Sequence, residues 1–447
     1  MKIKKILAIL MAVLIFVSAC AVSASATSTV EYVGYEEVAY NMEELFDSMR
    51  LLGRAVMNGT KLGMAMNGSG FEFKAICEGD ITLRLTSSAS GYIKIIVDDD
   101  YDNAFRVTID GPGRFVVDTN MAPGLHTIQV VRATEFNKGE FMIRSIAICG
   151  EKYGAPPAEK GMKLEFYGDS LTAGYGNIAT GSGKGGWQYQ DGTLTYAAFC
   201  ARELDADYSA IAASGHGITT GFSSRSQLIS TYWDKTGVTG IDWYFSYDAD
   251  VVVINLGTND QSYFTNSKTQ CNEEEFKTNA RALIDGILSH NSDCKMYWIY
   301  GMAYLADNDY HSIVTWLGDL ADEYDCLDLL YISTGASGGD GHPTVAQHQA
   351  AGKILVDVIR KYYTDNGLEF PENPEDPLPP PSYQIGDCNG DDAINGKDVL
   401  ALRKYIVNLI GDDEIVLKAA DCNGDDAING KDVLQLRKYI VGLINEF

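Results

Sequence analysis

The strongest constraint on the fold is an internal repeat near the carboxyl end of the chain. The 21 residues DCNGDDAINGKDVLALRKYIV begin at Asp387, and they return as DCNGDDAINGKDVLQLRKYIV from Asp421, 34 positions later with one substitution. So close a repeat predicts two copies of one supersecondary unit that pack on each other. In each copy a loop rich in Asp and Asn leads into the apolar spacing of an amphipathic helix. The chain is therefore predicted to end in a small all-α domain.

Each loop of the repeat has the ligand spacing of a calcium site. Side-chain oxygens stand at loop positions one, three, five, nine and twelve, and a backbone carbonyl is available at position seven. Position six is Asp392 or Asp426, where an EF-hand has glycine, and position twelve is aspartate in place of glutamate. We predict two structural calcium ions, one per loop. Their predicted ligands are Asp387, Asn389, Asp391, Ala393, Asn395 and Asp398 in the first copy, and Asp421, Asn423, Asp425, Ala427, Asn429 and Asp432 in the second.

This duplicated loop, with aspartate at position twelve, resembles the type I dockerins over residues 385–447. The resemblance implies that the partner is a cohesin domain of a scaffold protein, and that the protein is extracellular and associated with a cellulosome. In that family the pair after the ninth loop position contributes to cohesin choice. Here it is Gly396 and Lys397 in one copy and Gly430 and Lys431 in the other. A calcium-stabilised cap without a partner is the alternative.

The amino terminus predicts export from the cell. Three lysines precede the apolar run ILAILMAVLIFV, and small residues end at Ala26, so residues 1–26 are interpreted as a signal peptide. The stretch VSAC, ending at Cys20, also resembles a lipoprotein box, which would place a lipid on that cysteine. No other stretch approaches the roughly 20 apolar residues of a membrane span, so none is expected. The net charge of −26 argues against a nucleic-acid partner.

The remaining chain divides by its hydrophobic pattern. Residues 30–155 hold short alternating runs rich in β-branched and aromatic residues, which predict a β-sandwich of the jelly-roll type. Residues 160–366 alternate apolar strands with longer amphipathic segments, which indicates a parallel sheet covered on both faces. Residues 367–384 are rich in proline and predict a stiff linker.

A serine stands at the end of the first strand of the predicted parallel sheet. Ser170, in YGDSLTAGYG, is either a helix cap or a nucleophile, and a nucleophile requires a base. His342, in DGHP, stands just before the last helix. Asn259, in GTND, and the glycine turn SGHG at residues 214–217 each follow a strand. Because parallel strands end at one edge of their sheet, these residues are predicted to meet there.

Three N–H donors are predicted for the oxyanion of an acyl-transfer reaction. They are the backbone amides of Ser170 and Gly217 and the side chain of Asn259, although the local pattern also permits Gly215 in place of Gly217. Asp340, two residues before the histidine, could orient the imidazole ring. A backbone carbonyl in a Ser-His dyad is the alternative.

The strings GDSL at residues 168–171, GTND and DGHP together resemble the SGNH or GDSL hydrolases. That resemblance implies a flavodoxin-like sheet and ester hydrolysis that needs no metal. With a jelly roll ahead of the hydrolase domain, the chain resembles carbohydrate esterase family 2. This family implies removal of O-acetyl groups from plant cell-wall polysaccharides, with acetylated xylan, glucomannan or 6-O-acetyl sugars as the expected substrates.

Two aromatic residues after the nucleophile are candidates for binding a sugar ring. Trp187 and Tyr189 lie in a glycine-rich segment and could form a stacking surface, or could belong to the core. Two other functions remain open from the sequence. One is a polysaccharide-binding subunit of the cellulosome without catalysis, and the other is a GDSL esterase or lipase of different specificity.

Overall fold

The structure is a computed structural model that describes residues 35–447 with short gaps. The gaps are residues 88, 182, 268–272, 304–310, 377–383, 392, 412–413 and 426. The predicted signal peptide, Cys20 and the second half of the proline-rich segment therefore lie outside the described residues. Within the described part, no helix combines the length and the apolar character needed to cross a membrane.

The first domain is a single antiparallel sheet of nine strands that curls around its own core. The strand order is β3-β4-β9-β5-β8-β6-β7, with β1 paired to β9 and β2 paired to β5. The predicted all-β domain is confirmed, but its layers are continuous through the long strands β5, β8 and β9. The elements are β1 Glu37–Asn41, α1 Met42–Phe46, β2 Met49–Leu52, β3 Val56–Asn58, β4 Lys61–Met64, β5 Gly70–Leu85, β6 Gly91–Val97, β7 Phe105–Ile109, β8 Gly113–Arg132 and β9 Phe141–Lys152.

Alternation along the strands builds this core. In β5 the side chains of Phe71, Phe73 and Ala75 are fully buried, whereas that of the adjacent Ile76 is 43% exposed. Successive residues of a strand point to opposite faces, so Phe71, Phe73 and Ala75 share the face of β5 that meets the core. Two register shifts after Cys77 bend the strand where it changes direction.

The second domain is a five-stranded parallel sheet with helices on both faces. Its strand order, β11-β10-β12-β13-β14, is the 2-1-3-4-5 order of flavodoxin-like folds and confirms that expectation. The strands are β10 Lys163–Gly168, β11 Asp207–Ala212, β12 Val251–Asn255, β13 Lys295–Tyr300 and β14 Leu327–Tyr331. The helices are α2 Ser170–Ala173, α3 Tyr196–Glu203, α4 Thr258–Ser267, α5 Glu273–Leu288, α6 His311–Glu323 and α7 Val345–Asp365.

The first strand of this sheet has its two neighbours on opposite sides. Gly168, the last residue of β10, is in register with Ala212 of β11 and with Asn255 of β12, so the three strands end together. The chain leaves β11 and β12 in different directions, and this divergence leaves a crevice at the carboxyl edge of β10. The loop that follows β10 therefore opens into the crevice.

The two domains share buried polar contacts. Arg54 of the all-β domain is fully buried, donates to Glu165 of β10 at 2.8 Å, and donates to the Tyr167 hydroxyl at 3.1 Å. The carbonyls of Trp233 and Lys235 also accept from the Arg54 guanidinium, and these hydrogen bonds offset much of the cost of burying its charge. These contacts fix the all-β domain against the parallel sheet.

In the described part of the carboxyl-terminal domain the helices are α8 Gly396–Ile406, α9 Leu417–Ala420 and α10 Gly430–Ile440. Leu402 and Leu436, which occupy equivalent places in the two repeats, are fully buried in its small core. Ahead of it, Asn373 and Asp376 of the proline-rich segment accept hydrogen bonds from the amides of Gly161 and Ala158. This first half of the segment therefore lies against the folded body instead of extending away from it.

Candidate active site

The turn after β10 presents a serine at its corner. Asp169 precedes it as the N-cap residue, and the Asp169 carboxylate accepts the Leu171 amide at 2.9 Å. Helix α2 makes a single turn, because Gly174 takes a left-handed conformation at φ +79° and ends it. Gly168 is required beneath the turn, since a Cβ there would lie 2.0 Å from the Thr172 hydroxyl. The half-buried Ser170 side chain thus faces the crevice.

The histidine reaches this serine from the other end of the domain. His342 follows the short turn Gly339–Gly341 and precedes helix α7, and its Nε2 lies 2.8 Å from Ser170 Oγ. Its Nδ1 lies 3.2 Å from the Gly339 carbonyl oxygen. A carbonyl can only accept, so Nδ1 carries the proton and Nε2 is free to accept the serine hydroxyl. The fold thus brings together two residues that are 172 positions apart in the chain, as the sequence predicts.

Burial lowers the pKa of His342 below its ordinary value of 6.5. Backbone carbonyls around the ring and the charge of Asp340 oppose this effect without cancelling it. The imidazole is therefore neutral near pH 7 and available as a base.

Asp340 does not hold the imidazole, which corrects the sequence expectation. Its side chain is exposed, and its carboxylate accepts a long hydrogen bond of 3.4 Å from the Tyr175 hydroxyl. Asp340 itself sits at φ +49°, which turns the chain so that the Gly339 carbonyl faces Nδ1. The orienting group is thus the backbone alternative and the pair is a Ser-His dyad.

Tyr175 is a residue of this site that the sequence reasoning missed. Its ring packs against the His342 imidazole at a centroid distance of 4.8 Å and an angle of 50°. It follows the serine in the same string, YGDSLTAGYG, but an aromatic residue there carries no recognisable signal before the fold is known. The contact restricts the rotation of the imidazole.

The amide of Gly217 is not available as an oxyanion donor, which corrects a second expectation. It donates to the Gln227 carbonyl at 3.1 Å within the loop after β11. The alternative, Gly215, has φ +79°, and no acceptor for its amide occurs among the described residues. The amide of Ser170, at the first position of α2, is likewise without an acceptor in the described part of the chain. The candidate backbone donors are therefore the amides of Ser170 and Gly215, and no longer the amide of Gly217.

Asn259 lies at the start of α4 and reaches the nucleophile turn. Its Nδ2 donates to Asp169 Oδ2 at 2.9 Å and to the His216 carbonyl at 2.8 Å. The side-chain amide thus connects the loops that follow β10, β11 and β12. In this resting arrangement both of its hydrogens have acceptors.

Two fully buried carboxylates hold the loops around the site. Burial raises the pKa of Asp169 to about 7, although the Leu171 amide opposes the shift. Burial likewise raises the pKa of Asp260 to about 6, against the amides of Ile218, Thr219 and Thr220, which donate to it. A carboxylate with three amide donors fixes the path of the loop after β11.

Trp187 and Tyr189 form a short 3₁₀ turn, and neither belongs to the core. The Trp187 ring meets Tyr92 of the all-β domain at a centroid distance of 5.4 Å, and Arg106 lies 3.4 Å above that tyrosine ring. The same segment passes the site at Gly185, where a Cβ would lie 1.6 Å from Asp340 Oδ2. None of the ring contacts of these two residues in the described structure reaches the serine or the histidine.

A separate cavity of about 970 Å³ lies between the two large domains. Arg50, Glu72 and Asp207 line it, and Arg50 pairs with both carboxylates at 2.5 and 2.6 Å. Ser170 and His342 are not among its lining residues. Its polar side chains serve the contact between the domains, so this cavity is not the candidate active site.

In the first repeat loop, three carboxylates converge. Oxygens of Asp387, Asp391 and Asp398 lie within 4.8 Å of one another. Asp398 is fully buried, and its two oxygens are oriented by the amides of Asn389 and Asn395. Asp432 is held in the same way by the amides of Asn423 and Asn429. Hard oxygen donors around a buried carboxylate fit calcium. The sixth loop positions, Asp392 and Asp426, lie outside the described residues.

A parallel sheet of this strand order, with a serine and a histidine in hydrogen-bond contact at its carboxyl edge, defines the class of GDSL-like hydrolases. The GDSL-like Lipase/Acylhydrolase family matches residues 166–374, the Carbohydrate esterase 2 N-terminal domain matches residues 51–157, and the Dockerin type I domain matches residues 385–441. The chain therefore carries an N-terminal domain of the carbohydrate esterase 2 type, a GDSL-like hydrolase domain and a type I dockerin, in this order.

Known relatives agree with this assignment. The chain is 29% identical over 317 residues to the cellulase/esterase CelE of Acetivibrio thermocellus, which covers 68% of this chain and 38% of that protein. It is 26% identical to an acetylxylan esterase / glucomannan deacetylase of Cellvibrio japonicus, over 40% of this chain and 54% of that protein. The chain thus spans about two fifths of the first of these curated relatives and about half of the second.

Among solved structures, a family two carbohydrate esterase from Clostridium thermocellum in complex with cellohexaose is similar, with a TM-score of 0.64 and 25% identity. The match covers 71% of this chain and 99% of that one. The acetyl xylan esterase Est2A from Butyrivibrio proteoclasticus has the same fold, with a TM-score of 0.64 and 20% identity over 74% of this chain and 99% of that one.

Proposed function

We propose that this protein is an extracellular carbohydrate esterase that removes O-acetyl groups from plant cell-wall polysaccharides. The observation that carries the proposal is the 2.8 Å contact between His342 Nε2 and Ser170 Oγ, with Nδ1 tied to a carbonyl. The names of two relatives, an acetylxylan esterase / glucomannan deacetylase and an acetyl xylan esterase, support the substrate class.

The proposed reaction proceeds through an acyl-enzyme. Ser170 Oγ attacks the acetyl carbonyl carbon while His342 Nε2 takes the hydroxyl proton. The tetrahedral oxyanion is held by the amides of Ser170 and Gly215, and Asn259 donates to it by giving up one of its two present acceptors. The C–O bond to the sugar then breaks, and the sugar oxygen leaves with the proton from His342.

Water completes the cycle by the same route. The water oxygen attacks the acyl carbon while His342 takes a proton from that water. The serine oxygen then leaves with this proton, which releases acetate and restores the dyad. Each step moves one proton between the imidazole and an oxygen. The depressed pKa of His342 keeps the ring in the basic form between steps.

We further propose that the carboxyl-terminal domain binds two calcium ions and docks the esterase on a cohesin. Asp387, Asp391 and Asp398 would hold the first ion, with Asp421, Asp425 and Asp432 at the equivalent places for the second. The ions would neutralise these carboxylates and stabilise the loop-helix units. Attachment to a scaffold protein would bring the esterase to its polysaccharide outside the cell.

Acetate release from acetylated xylan tests the proposed activity. The wild-type chain should release acetate, and Ser170→Ala should lower kcat by at least about 10⁴-fold while the thermal unfolding midpoint changes little. A chain-length series of nitrophenyl esters should favour acetate over longer acyl groups. Equal turnover by Ser170→Ala would refute the mechanism, whereas binding of xylan without release would indicate a polysaccharide-binding protein.

A further inference from the structure

The all-β domain places a buried carboxylate against the loop that follows β11. Glu135, three residues after the end of β8, is only 1% exposed, and its Oε2 accepts the Ser214 amide at 2.5 Å. Ser214 is followed directly by Gly215, the candidate oxyanion donor. The contact therefore crosses from one domain into the active-site loop of the other.

The backbone that carries Glu135 is itself fixed. Arg132 is fully buried, and its guanidinium donates to the carbonyls of Thr134 at 2.6 Å and Glu135 at 2.7 Å. The same guanidinium lies 4.4 Å above the Phe141 ring. With its backbone held at these points, the Glu135 side chain has little freedom to leave the loop.

The loop is held on the other side of the glycine as well. The Gly215 carbonyl accepts the Phe222 amide at 2.8 Å, so the chain is anchored before Gly215 by Glu135 and after it by Phe222. Between the two anchors stands the peptide group that ends in the Gly215 N–H. Its direction is set by the left-handed conformation of that glycine, φ +79°.

A carboxylate in this place is costly unless it does something that a smaller residue cannot. Burial raises the pKa of Glu135, and the hydrogen bond from Ser214 and the charges of Lys138 and Arg132 oppose this shift without cancelling it. Burying a carboxyl group costs free energy, which the hydrogen bond from Ser214 and these nearby charges offset only in part.

We propose that Glu135 is a positioning residue of the esterase site, which holds the Ser214 amide so that the Gly215 N–H points at the oxyanion of acyl transfer. This inference rests on the proposed function. It makes the all-β domain a part of the active site, in addition to any contact it makes with polysaccharide.

Two conservative variants of Glu135 separate the effect of side-chain length from the effect of charge. Glu135→Asp keeps the charge but shortens the side chain by one carbon, which withdraws the oxygen by roughly 1.5 Å and breaks a 2.5 Å contact. Glu135→Gln removes the charge but keeps an oxygen that can accept the Ser214 amide. The matched control is Glu140→Ala, because Glu140 of the all-β domain accepts the Thr239 amide at 2.6 Å away from Gly215.

The measurement is kcat and KM for a small acetyl ester with the full chain. We expect Glu135→Asp to lower kcat about 10- to 100-fold with KM within about threefold, since a misdirected oxyanion donor weakens the transition state and not substrate binding. Glu135→Gln should retain at least fivefold more kcat than Glu135→Asp, and Glu140→Ala should stay within about twofold of wild type.

Each result decides the proposal. A kcat for Glu135→Asp that equals or exceeds that of Glu135→Gln would overturn it, as would an equal loss in Glu140→Ala. Ser170→Ala, assayed alongside, tests the proposed function separately. If that variant hydrolyses the ester normally, the esterase mechanism fails, but if it is inactive while the two Glu135 variants are alike, only the role of Glu135 fails.

Discussion

The repeat loops and the candidate active site use polar groups in opposite ways. In the first loop, three carboxylates from twelve consecutive residues converge to within 4.8 Å, and the proposed calcium ion would offset the repulsion between these like charges. In the active site, residues from four distant parts of the chain meet, and backbone groups take the decisive places. Gly339 supplies a carbonyl to the histidine, and the amides of Ser170 and Gly215 have no acceptor among the described residues.

This difference explains why the two sites respond to different perturbations. If the loops bind calcium as proposed, they depend on the charges of their side chains and on the cation, so removing either should destabilise them. The active site keeps its buried carboxylates, Asp169 and Asp260, in place through amide donors that belong to the fold. It should therefore tolerate the loss of calcium.

The largest effect predicted from this contrast is that of a chelator. Removing calcium should weaken capture by a matching cohesin by more than about 100-fold, because the small domain has few buried residues to hold it without ions. Hydrolysis of a small acetyl ester should change by less than about twofold. Surface binding to an immobilised cohesin and the esterase assay measure the two effects on one sample.

The doubly substituted chain Asp398→Ala with Asp432→Ala is the matched variant without a chelator. It should behave as the chelated wild type in both measurements, since it removes the buried carboxylate of each loop. A fall in esterase activity that accompanies either treatment would show that the domains are coupled, and the contrast between the two sites would be wrong.

Much of the fold could be predicted because its elements carry local signals. All five strands of the parallel sheet appear in the sequence as short apolar runs, and the two near-identical copies of the repeat can be read directly. Helix α4, Thr258–Ser267, carries no such signal, because its sequence TNDQSYFTNS has no apolar stripe. Helix α6 does carry one, since Ile313, Leu317 and Leu320 follow helical spacing and all three are buried.

The candidate site was predictable only in its side chains. A serine, a histidine and an asparagine at strand ends can be seen in a sequence, whereas a free amide or a carbonyl at a particular angle cannot. The choice between Gly215 and Gly217 depends on which amide the Gln227 carbonyl accepts, and the partner of the histidine depends on the positive φ of Asp340. Both are products of loop conformation.

The second prediction is that kcat/KM falls about tenfold per pH unit below the pKa of His342. The imidazole must be neutral to accept the serine proton, and burial lowers the pKa of His342 below 6.5. Activity should therefore persist as pH falls to 6.5 and decline only below it. The acid limb of kcat/KM for a small acetyl ester reports this pKa in the free enzyme. A midpoint above 6.5 would contradict the neutral, desolvated imidazole seen here.

The smallest effect is predicted for Asp340→Asn, and it separates this site from one in which a carboxylate orients the histidine. Asparagine tolerates the left-handed backbone at this position, so the turn that presents the Gly339 carbonyl should persist. The lost charge is exposed, and kcat should stay within about fivefold of wild type. Because the charge of Asp340 raises the pKa of His342, the acid limb should move to slightly lower pH.

If the backbone orients the ring, Asp340→Asn should lower kcat only slightly while it moves the acid limb to lower pH. A loss of 10³-fold or more in kcat for Asp340→Asn would mean that the carboxylate orients the imidazole during turnover, as in triads where the acid fixes the tautomer. A small loss with an unmoved acid limb would mean that Asp340 does not influence the ring at all. Only a small loss together with a limb displaced to lower pH agrees with a histidine held by the Gly339 carbonyl and tuned by a nearby exposed charge.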